Sequence, residues 1–326
     1  MTRTMQAAVL TGARAMRVDT VPLPEPGMGE LRVRLEGCGV CSSNVEPWEG
    51  QPWSSYPGEP GGLGHEGWGV VDAIGEGISS ADGDGFAIGD RVATLSGRSF
   101  AHYDLVAADM AVKLPPELAG MAVPGEPLGC VMNIFRRADV AAGQTVAIIG
   151  IGFLGALLTR LATDAGARVL AISRRPFSLD LARRYGAAET IPMDDHYAII
   201  ARVNELTGDA GCERVIECVG RQWPLDLAGE LVGFGGRLVV AGYHQDGPRQ
   251  INMQAWNWKG IDVVNAHERD PAVQMRGLRE AVDAVASGRL DPAPLYTHRY
   301  PLDRLGEALD AARDRPDGFL KALVTF

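Results

Sequence analysis

The sequence predicts an α/β protein in which a β-rich module is joined to a doubly wound parallel sheet. Residues 1–122 alternate short apolar runs with many Gly and Pro residues, whereas residues 123–265 interleave longer apolar runs with helical segments. In the second region a glycine-rich loop connects one apolar run to a helix. Strands that alternate with helices of about 10 to 15 residues are typical of βαβ units and a parallel sheet.

Residues 1–122 are predicted to form the β-rich module. Alternation of apolar and polar side chains indicates strands, which we place at 31–35, 70–74 and 104–106. The acidic segment Asp82-Gly83-Asp84-Gly85 lacks the remaining ligands of a calcium loop, and we expect a turn there.

The rest of the chain is predicted to form the parallel sheet and then to return to the first module. Uninterrupted apolar runs predict strands buried on both faces, at 146–149, 169–172, 215–218 and 238–241. The tail, residues 266–326, contains a helix at 273–287 and a terminal strand at 322–326 that needs a sheet to join. We therefore expect one discontinuous domain, residues 1–122 and 266–326, with residues 123–265 inserted as a second domain.

Length and charge exclude several classes of function. The 326 residues suffice for two domains, and the net charge of -10 argues against nucleic acid, which requires a basic face. The most apolar stretch, 146–158, is shorter than the roughly 20 residues of a membrane span, and no signal peptide is recognisable. We expect a cytoplasmic protein that binds neither nucleic acid nor a membrane.

The five cysteines do not suggest a disulfide framework. Cys38 and Cys41 form a lone C-x-x-C pair. A zinc ribbon would require a second pair, and a thioredoxin-like site would place the motif at a helix N-terminus. Both functions are therefore disfavoured.

The glycine-rich loop is the strongest local motif for cofactor binding. It is the G-x-G-x-x-G segment Gly150-Ile151-Gly152-Phe153-Leu154-Gly155, which follows a predicted strand and opens a helix at 156–165. In dinucleotide-binding loops the first glycine allows a tight turn, the second lets backbone amides approach the pyrophosphate, and the third lets the helix pack closely. A glycine-rich turn without a nucleotide is the alternative, which this context disfavours.

The tip of the second parallel strand indicates which dinucleotide binds. Enzymes that use NAD(H) place Asp or Glu about 20 residues after the loop, to bind the ribose hydroxyls. Here the segment is Ser173-Arg174-Arg175. A hydroxyl and two guanidiniums suit a 2′-phosphate, so NADP(H) is favoured over NAD(H). The alternative is a solvated cap whose Arg stacks on the adenine of either cofactor.

Four motifs, in order along the chain, resemble those of the zinc-dependent medium-chain dehydrogenase/reductase family, which includes alcohol and polyol dehydrogenases. They are the segment from Gly37 to Asn44, the run Gly64-His65-Glu66 with Gly69, Gly75 and Ile78, then Gly89-Asp90-Arg91-Val92, and finally Glu126-Pro127-Leu128. The resemblance covers essentially the whole chain. It implies a GroES-like catalytic domain, a Rossmann cofactor domain, and zinc in the cleft between them.

The resemblance also implies the metal ligands. Cys41 and His65 occupy the positions of two constant ligands, Glu126 that of the glutamate used by polyol and threonine dehydrogenases, and Glu66 that of an exchanging ligand close behind the metal. A thiolate, an imidazole and a carboxylate with one open position are typical of catalytic zinc. Cys130, one helical turn after Glu126, is the alternative ligand, although we expect it to face the core, and Cys38 to belong to a strand.

Two departures from the family pattern matter. No cysteine follows the Gly-Asp-Arg-Val motif between residues 93 and 101, so we predict one catalytic zinc and no structural zinc. Asn44 stands where the family usually has an Asp that supports the histidine ligand. An amide can still accept a hydrogen bond from an imidazole N–H, but it adds no charge.

The activity implied by the resemblance is the reversible oxidation of a secondary alcohol to a ketone by a nicotinamide cofactor. Ser43 occupies the position that hydrogen-bonds the substrate oxygen, and Glu46 stands where many relatives have a relay histidine, so that it either accepts the proton or has no such role. With Glu66, these two residues are the catalytic candidates.

The substrate and the oligomer are less well defined. The Glu-Pro-Leu motif favours a polyol, cyclitol or amino alcohol. Trp48, Trp53 and Tyr56 either wall the pocket or simply pack. A strand at 261–264 corresponds to one that pairs across dimers of the family, and we expect a homodimer or homotetramer.

Two other functions are alternatives for this sequence. A zinc-free quinone or enone reductase of the same superfamily would lack Cys41 and His65. A non-catalytic NADPH-binding protein would have no reason to keep Cys41, Ser43, His65, Glu66 and Glu126 together.

Overall fold

A computed structural model describes residues 3–52, 54–78 and 85–326 of the chain. Its contacts define two compact units, one made of Met1–Gly129 and Asp270–Phe326 and the other of Cys130–Arg269. Trp53 and the turn expected at residues 82–84 lie outside the described residues.

The strands and helices are numbered along the chain. The described strands are β1 (Thr4–Gly12), β2 (Ala15–Pro22), β3 (Glu30–Val40), β4 (Gly67–Ile74), β5 (Arg91–Thr94), β6 (Tyr103–Ala107), β7 (Ala111–Lys113), β8 (Thr145–Ile149), β9 (Arg168–Ser173), β10 (Glu189–Pro192), β11 (Cys212–Glu217), β12 (Val232–Val240), β13 (Asp262–Asn265), β14 (Tyr296–Pro301) and β15 (Lys321–Thr325). The described helices are α1 (Val45–Glu49), α2 (Gly125–Ala138), α3 (Phe153–Asp164), α4 (Pro176–Arg184), α5 (His196–Thr207), α6 (Gln222–Leu231), α7 (Met253–Lys259), α8 (Pro271–Ala286) and α9 (Leu305–Asp314).

The first unit is built around β3. Among the described strands, its larger sheet has the order β14-β15-β3-β4-β5-β7, with β6 also paired to β3. Side chains from the first half of β3 alternate into a core with Val71 and Val92, whereas Cys38 and Val40 from its second half pack in a different core with Phe100. The strand predicted at 322–326 is observed as β15, which pairs antiparallel with β3.

The second unit contains a parallel sheet with the order β10-β9-β8-β11-β12-β13. The apolar runs of its central strands, such as 146–149, are fully buried because helices cover both faces of such a sheet. The chain order reverses between β8 and β11, and open α/β sheets bind ligands at such a point, outside the carboxyl ends of the strands. The prediction of an α/β fold with a β-rich domain and a doubly wound sheet is confirmed.

The helices give no sign of a membrane span. In the part of the chain that the structure describes, no helix is long and apolar enough to cross a bilayer.

Candidate active site

Three strand ends meet in the first unit and bring the predicted metal ligands together. Because β4 and β15 both run antiparallel to β3, their first residues lie beside its last ones. Cys41 directly follows β3, Glu66 directly precedes β4, and Lys321 begins β15. The backbone bond from Gly39 N to Glu66 O, 3.1 Å, fixes this register. His65 and Glu66 therefore lie in a loop, not within a strand.

Cys41, His65 and Glu66 form a cluster with the chemistry of a metal site. One ligand atom from each, a thiol sulfur, an imidazole nitrogen and a carboxylate oxygen, lies within 4.8 Å of the other two. The imidazole Nδ1 is 2.9 Å from the carbonyl oxygen of Leu63, so Nδ1–H donates to that oxygen. The opposite nitrogen, Nε2, is then the ring atom that can bind a metal when it gives up its proton, and the backbone acceptor sets the orientation of the ring.

Asn44 bonds to the backbone of two loops. Its Oδ1 accepts from the backbone N of Cys41 at 3.0 Å, and its Nδ2 donates to Leu63 O at 3.0 Å. The sequence left open whether this amide accepts from the imidazole, and in the structure the carbonyl of Leu63 is the acceptor. Asn44 ties the loop of Cys41 to the loop of His65.

Glu66 is paired with a lysine that sequence reasoning missed. The two side chains are 0% and 7% exposed, and Lys321 Nζ donates to Glu66 Oε1 at 2.5 Å. Glu66 Oε2 has no hydrogen-bond partner among the described residues, and a Cβ added to Gly39 would lie only 1.8 Å from it. The signal available in the sequence was a single lysine in an otherwise apolar terminal strand.

Glu126 lies near this cluster without being part of it. The glutamate is half-buried in the first turn of α2, and its carboxylate is not among the group of atoms within 4.8 Å. Burial lowers the pKa of His65, but the Cys41 sulfur, Glu126 and Glu66 together raise it to about 10. A strongly negative environment of this kind favours a cation. Cys130, also on α2, is half-buried.

Cys38 belongs to β3, as predicted, and is fully buried. Burial and the charge of Glu66 raise the pKa of its thiol well above the usual value. A buried thiol of this kind packs as a small apolar side chain and is chemically inert.

Ser43 and Glu46 follow the cysteine ligand on a short helical segment. Ser43 is half-exposed in a 3-10 turn over Ser42–Asn44, two residues beyond Cys41. Glu46 is buried on α1, and its carboxylate accepts a hydrogen bond from the side-chain amide of Gln51. The structure thus gives Glu46 a partner, and does not place it in the three-residue cluster.

Trp48 and Tyr56 both make contacts with other residues of the first unit. Trp48 is buried in a core with Leu305, and its Nε1 donates to Asp310 at 2.9 Å. Tyr56 is half-buried, and its hydroxyl donates to the carbonyl of Pro47 at 3.2 Å. Of the two interpretations open for Trp48, packing is the one that its contacts support.

The segment after the Gly-Asp-Arg-Val motif, in which no cysteine occurs, is organised by a carboxylate. Ser99 donates to Asp104 Oδ2 at 2.8 Å, and Ser96 donates to the same oxygen. Burial raises the pKa of Asp104, whereas the two hydroxyls lower it, and the net shift is upward. A buried aspartate thus closes the short loop between β5 and β6.

The glycine-rich loop has the geometry of a pyrophosphate-binding turn. Gly150 has a φ of +94°, which only glycine adopts readily, and a Cβ added to Gly155 would lie 2.1 Å from the carbonyl oxygen of Gly150. Around Gly152 there is open space, so an anion can approach the backbone. Phe153, which is buried, and Leu154, which is half-buried, begin α3. These residues fit a dinucleotide whose pyrophosphate lies at the N-terminus of α3.

Ser173, Arg174 and Arg175 lie together at the carboxyl end of β9. Ser173 is buried, and its hydroxyl accepts from the backbone N of Arg175 at 3.5 Å. Arg174 is exposed, and Arg175 is half-buried as the residue that precedes α4.

Comparisons with known proteins identify the family of the chain. The model of the alcohol dehydrogenase GroES-like domain matches residues 27–116, and that of zinc-binding dehydrogenases matches residues 154–285. The chain is 28% identical to a sorbitol dehydrogenase of Gallus gallus, over 94% of this chain and 93% of that one. It is 25% identical to an L-threonine 3-dehydrogenase of Bacillus subtilis, over 93% of each.

A solved structure is similar over the whole chain. It is a zinc-binding dehydrogenase from Sinorhizobium meliloti 1021 bound to NADP, with 26% identity and a TM-score of 0.83, covering 99% of this chain and 100% of that one. The chain belongs to the zinc-dependent medium-chain dehydrogenase/reductase family, which confirms the resemblance inferred from the motifs. Within that family it is an enzyme of the alcohol dehydrogenase type.

Proposed function

We propose that this protein is a zinc-dependent oxidoreductase that transfers a hydride between NADP(H) and a secondary alcohol or ketone. The observation that supports this most is the cluster of Cys41, His65 and Glu66, whose ligand atoms lie within 4.8 Å of one another. The proposed domains are a GroES-like catalytic domain, residues 1–122 and 266–326, and a Rossmann domain, residues 123–265.

The donor set fits a single catalytic zinc. We assign Cys41, His65 and Glu126 as ligands and Glu66 as the exchanging one, because the buried ammonium of Lys321 already neutralises Glu66. A sulfur, a nitrogen and a carboxylate with one open position suit catalytic zinc, whereas a structural site would use four protein ligands. A zinc ion bound there supplies a Lewis acid that favours the ionised form of an alcohol near neutral pH.

Ser43 and Glu46 are the candidates for handling the proton. The half-exposed hydroxyl of Ser43, two residues from the cysteine ligand, can accept a proton from the substrate hydroxyl while it donates its own. The carboxylate of Glu46 is buried and accepts a hydrogen bond from Gln51, and a carboxylate with one such bond keeps lone pairs that can accept a proton. A Glu46→Gln variant with unchanged kcat from pH 6 to 9 would remove Glu46 from the mechanism.

NADP(H) is the proposed cofactor. The exposed guanidinium of Arg174 and the hydroxyl of Ser173 lie at the strand tip that reads the 2′ position, and no carboxylate stands there. A charge-assisted hydrogen bond to a phosphate contributes about 1.5 to 3 kcal/mol, so Arg174→Ala should lower kcat/KM for NADPH by roughly 10- to 150-fold and leave NADH use unchanged. Arg184→Ala, on the exposed face of α4, is the matched control. A wild-type preference for NADH would contradict the assignment.

The substrate class is proposed to be polyols, cyclitols or amino alcohols. The relatives include sorbitol dehydrogenases, an L-threonine 3-dehydrogenase and a 2-dehydro-3-deoxy-L-galactonate 5-dehydrogenase. Assays of a panel of such alcohols and their ketones with both dinucleotides test this class against simple aliphatic alcohols.

Association through β13 is also proposed. This strand forms one edge of the parallel sheet, and Val263 on it is 44% exposed. An unprotected edge strand can pair with the same strand of a second copy, which gives a homodimer or a homotetramer. Light scattering after size exclusion measures the mass, and a monomer would contradict the proposal.

Metal content is the decisive experiment. We expect about one zinc per chain by mass spectrometry of undialysed protein, and loss of both zinc and turnover in Cys41→Ala. Cys38→Ala, which changes a buried cysteine three residues away, is the matched control, and Cys130→Ala tests the alternative ligand. Protein without zinc that still binds NADPH would favour the zinc-free reductase or the non-catalytic protein, and two zinc ions per chain would contradict the single site.

A further inference from the structure

A buried polar network in the second unit joins the carboxyl ends of β11 and β12. It begins at Glu217, the last residue of β11, which is fully buried. Its Oε1 accepts from the backbone N of Val219 at 2.6 Å and of Gly220 at 2.8 Å. Its Oε2 lies 3.0 Å from Nε2 of His244, in the segment after β12. The carboxylate therefore uses both oxygens to hold two adjacent loops together.

The partners of His244 fix its protonation and its orientation. Nε of Arg249 donates to Nδ1 of the imidazole at 2.8 Å. A guanidinium can only donate, so Nδ1 is an acceptor and the ring proton is on Nε2, which donates to Glu217. Arg249 also donates to the carbonyl of Gly220 at 3.0 Å and pairs with Asp246. With both ring nitrogens engaged, the imidazole acts as a brace between the two loops.

The braced loops border the dinucleotide crevice. A Cβ added to Gly150, the first glycine of the phosphate loop, would lie 2.4 Å from Cγ2 of Val219. A Cβ added to Gly220 would lie 2.6 Å from the carbonyl oxygen of Tyr243, so the two loops are in close contact. Val219 thus lies directly against the turn that would hold the pyrophosphate, on the β11 side of the point where the strand order reverses.

The two halves of a dinucleotide bind on opposite sides of that point. The adenosine half lies toward β9, where Ser173 and Arg174 read the 2′ position, so the nicotinamide half lies over the carboxyl ends of β11 and β12. The loops that His244 braces are at that end of the crevice.

We propose that His244 is a positioning residue for the nicotinamide half of the dinucleotide. Through Glu217 and Arg249 it holds the segments 218–220 and 242–244 in a single arrangement, against which the nicotinamide end is oriented. This inference rests on the proposed function. Without the imidazole, Oε2 of the fully buried Glu217 loses its hydrogen-bond donor, whereas Oε1 keeps two backbone donors. We therefore expect the two loops to rearrange locally while the sheet stays intact.

The test compares ligands that report on the two halves of the cofactor. Titration calorimetry measures binding of NADPH and of 2′,5′-ADP, which lacks the nicotinamide half, to the zinc-loaded wild type, His244→Phe and His244→Gln. We expect His244→Phe to weaken NADPH binding by about 5- to 150-fold, the effect of one unsatisfied buried acceptor, and to leave 2′,5′-ADP binding within about twofold. His244→Gln should recover most of the affinity, since an amide can donate to Glu217 and accept from Arg249.

His196→Phe is the matched control, because His196 is another half-buried histidine of this unit whose Nδ1 accepts a hydrogen bond, from Trp223 at 3.0 Å. Wild-type affinity for NADPH in His244→Phe would overturn the inference. An equal loss of affinity for NADPH and for 2′,5′-ADP would also overturn it, because it indicates general disruption of the dinucleotide site.

Failure of the proposed function gives a different result. Wild-type protein that binds neither NADPH nor NADH would overturn the function and the inference together. Wild-type protein that binds NADH more tightly would overturn only the cofactor preference, and the same comparison made with NADH and AMP would then decide the role of His244.

Discussion

Replacing Lys321 by Met should destabilise the protein strongly, because it leaves Glu66 as an uncompensated buried charge. Methionine has a similar length, so the change removes the ammonium and little volume. The Nζ–Oε1 distance is 2.5 Å, both side chains are at most 7% exposed, and Glu66 Oε2 has no partner among the described residues. Breaking a buried pair by removing one partner costs about 3 to 5 kcal/mol.

Urea denaturation of chelator-treated protein measures this loss directly. Lys113→Met is the matched control, since Lys113 pairs with Asp90 at 3.0 Å and is 40% exposed, and exposed pairs contribute about 0 to 1 kcal/mol. The double variant Glu66→Leu with Lys321→Met removes both charges and should regain most of the stability. In zinc-loaded protein the cost of Lys321→Met should be smaller, because a nearby cation supplies the missing charge.

A loss below about 1 kcal/mol in the metal-free Lys321→Met variant would refute this reasoning. It would mean that Glu66 does not depend on the ammonium, so that the assignment of this carboxylate as a neutralised, exchanging ligand would have to be abandoned.

Three further changes separate packing from function. Gly155→Ala places a Cβ 2.1 Å from the carbonyl oxygen of Gly150. It should lower the free energy of unfolding by about 1 to 3 kcal/mol, measured by thermal unfolding, and it should also weaken dinucleotide binding. Gly152→Ala, where space is open, should weaken dinucleotide binding in calorimetry and leave Tm unchanged. A large drop in Tm would contradict the finding that the space around Gly152 is open. The pKa of Asp104 is raised, so the stability that this carboxyl contributes is present below its unfolded pKa of about 3.9 and is lost as pH rises through the folded pKa. Asp104→Asn should therefore gain stability relative to wild type between pH 3 and pH 7 in urea titrations, and a constant difference would be the contrary result.

The strands that the sequence predicted correctly are those whose pattern of apolar residues has a single physical cause. The central parallel strands are uninterrupted apolar runs because both faces are buried, and they were placed within a few residues of β8, β9 and β11. Helix α9 and strand β14 were missed. Leu305, Ala308, Leu309 and Ala312 have the spacing of an amphipathic helix, but the short apolar residues weaken that signal.

Residues of the candidate site that belong to one short motif were predicted from the sequence. Residues whose role depends on a partner far away in the chain were missed. His65 and Glu66 came from one short run of residues. Lys321 pairs with Glu66 across 255 positions, and nothing near the lysine indicates its partner. The network of His244 likewise depends on β11 and β12 lying side by side, which an isolated histidine in a polar loop does not reveal.

The antiparallel pairing of β3 with β15 also sets an order of events during protein synthesis. Cys38 pairs with Val324, which lies 286 positions further along the chain, so β3 leaves the ribosome roughly 15 to 60 s before this neighbour at roughly 5 to 20 residues per second. All strands of the parallel sheet are translated within that interval, and that unit can fold while one edge of β3 is still open. An open edge invites pairing with other chains, so the nascent protein is most vulnerable to aggregation before β15 emerges. Lys321 arrives with that strand, so its buried pair with Glu66 forms only after the whole parallel sheet has been translated.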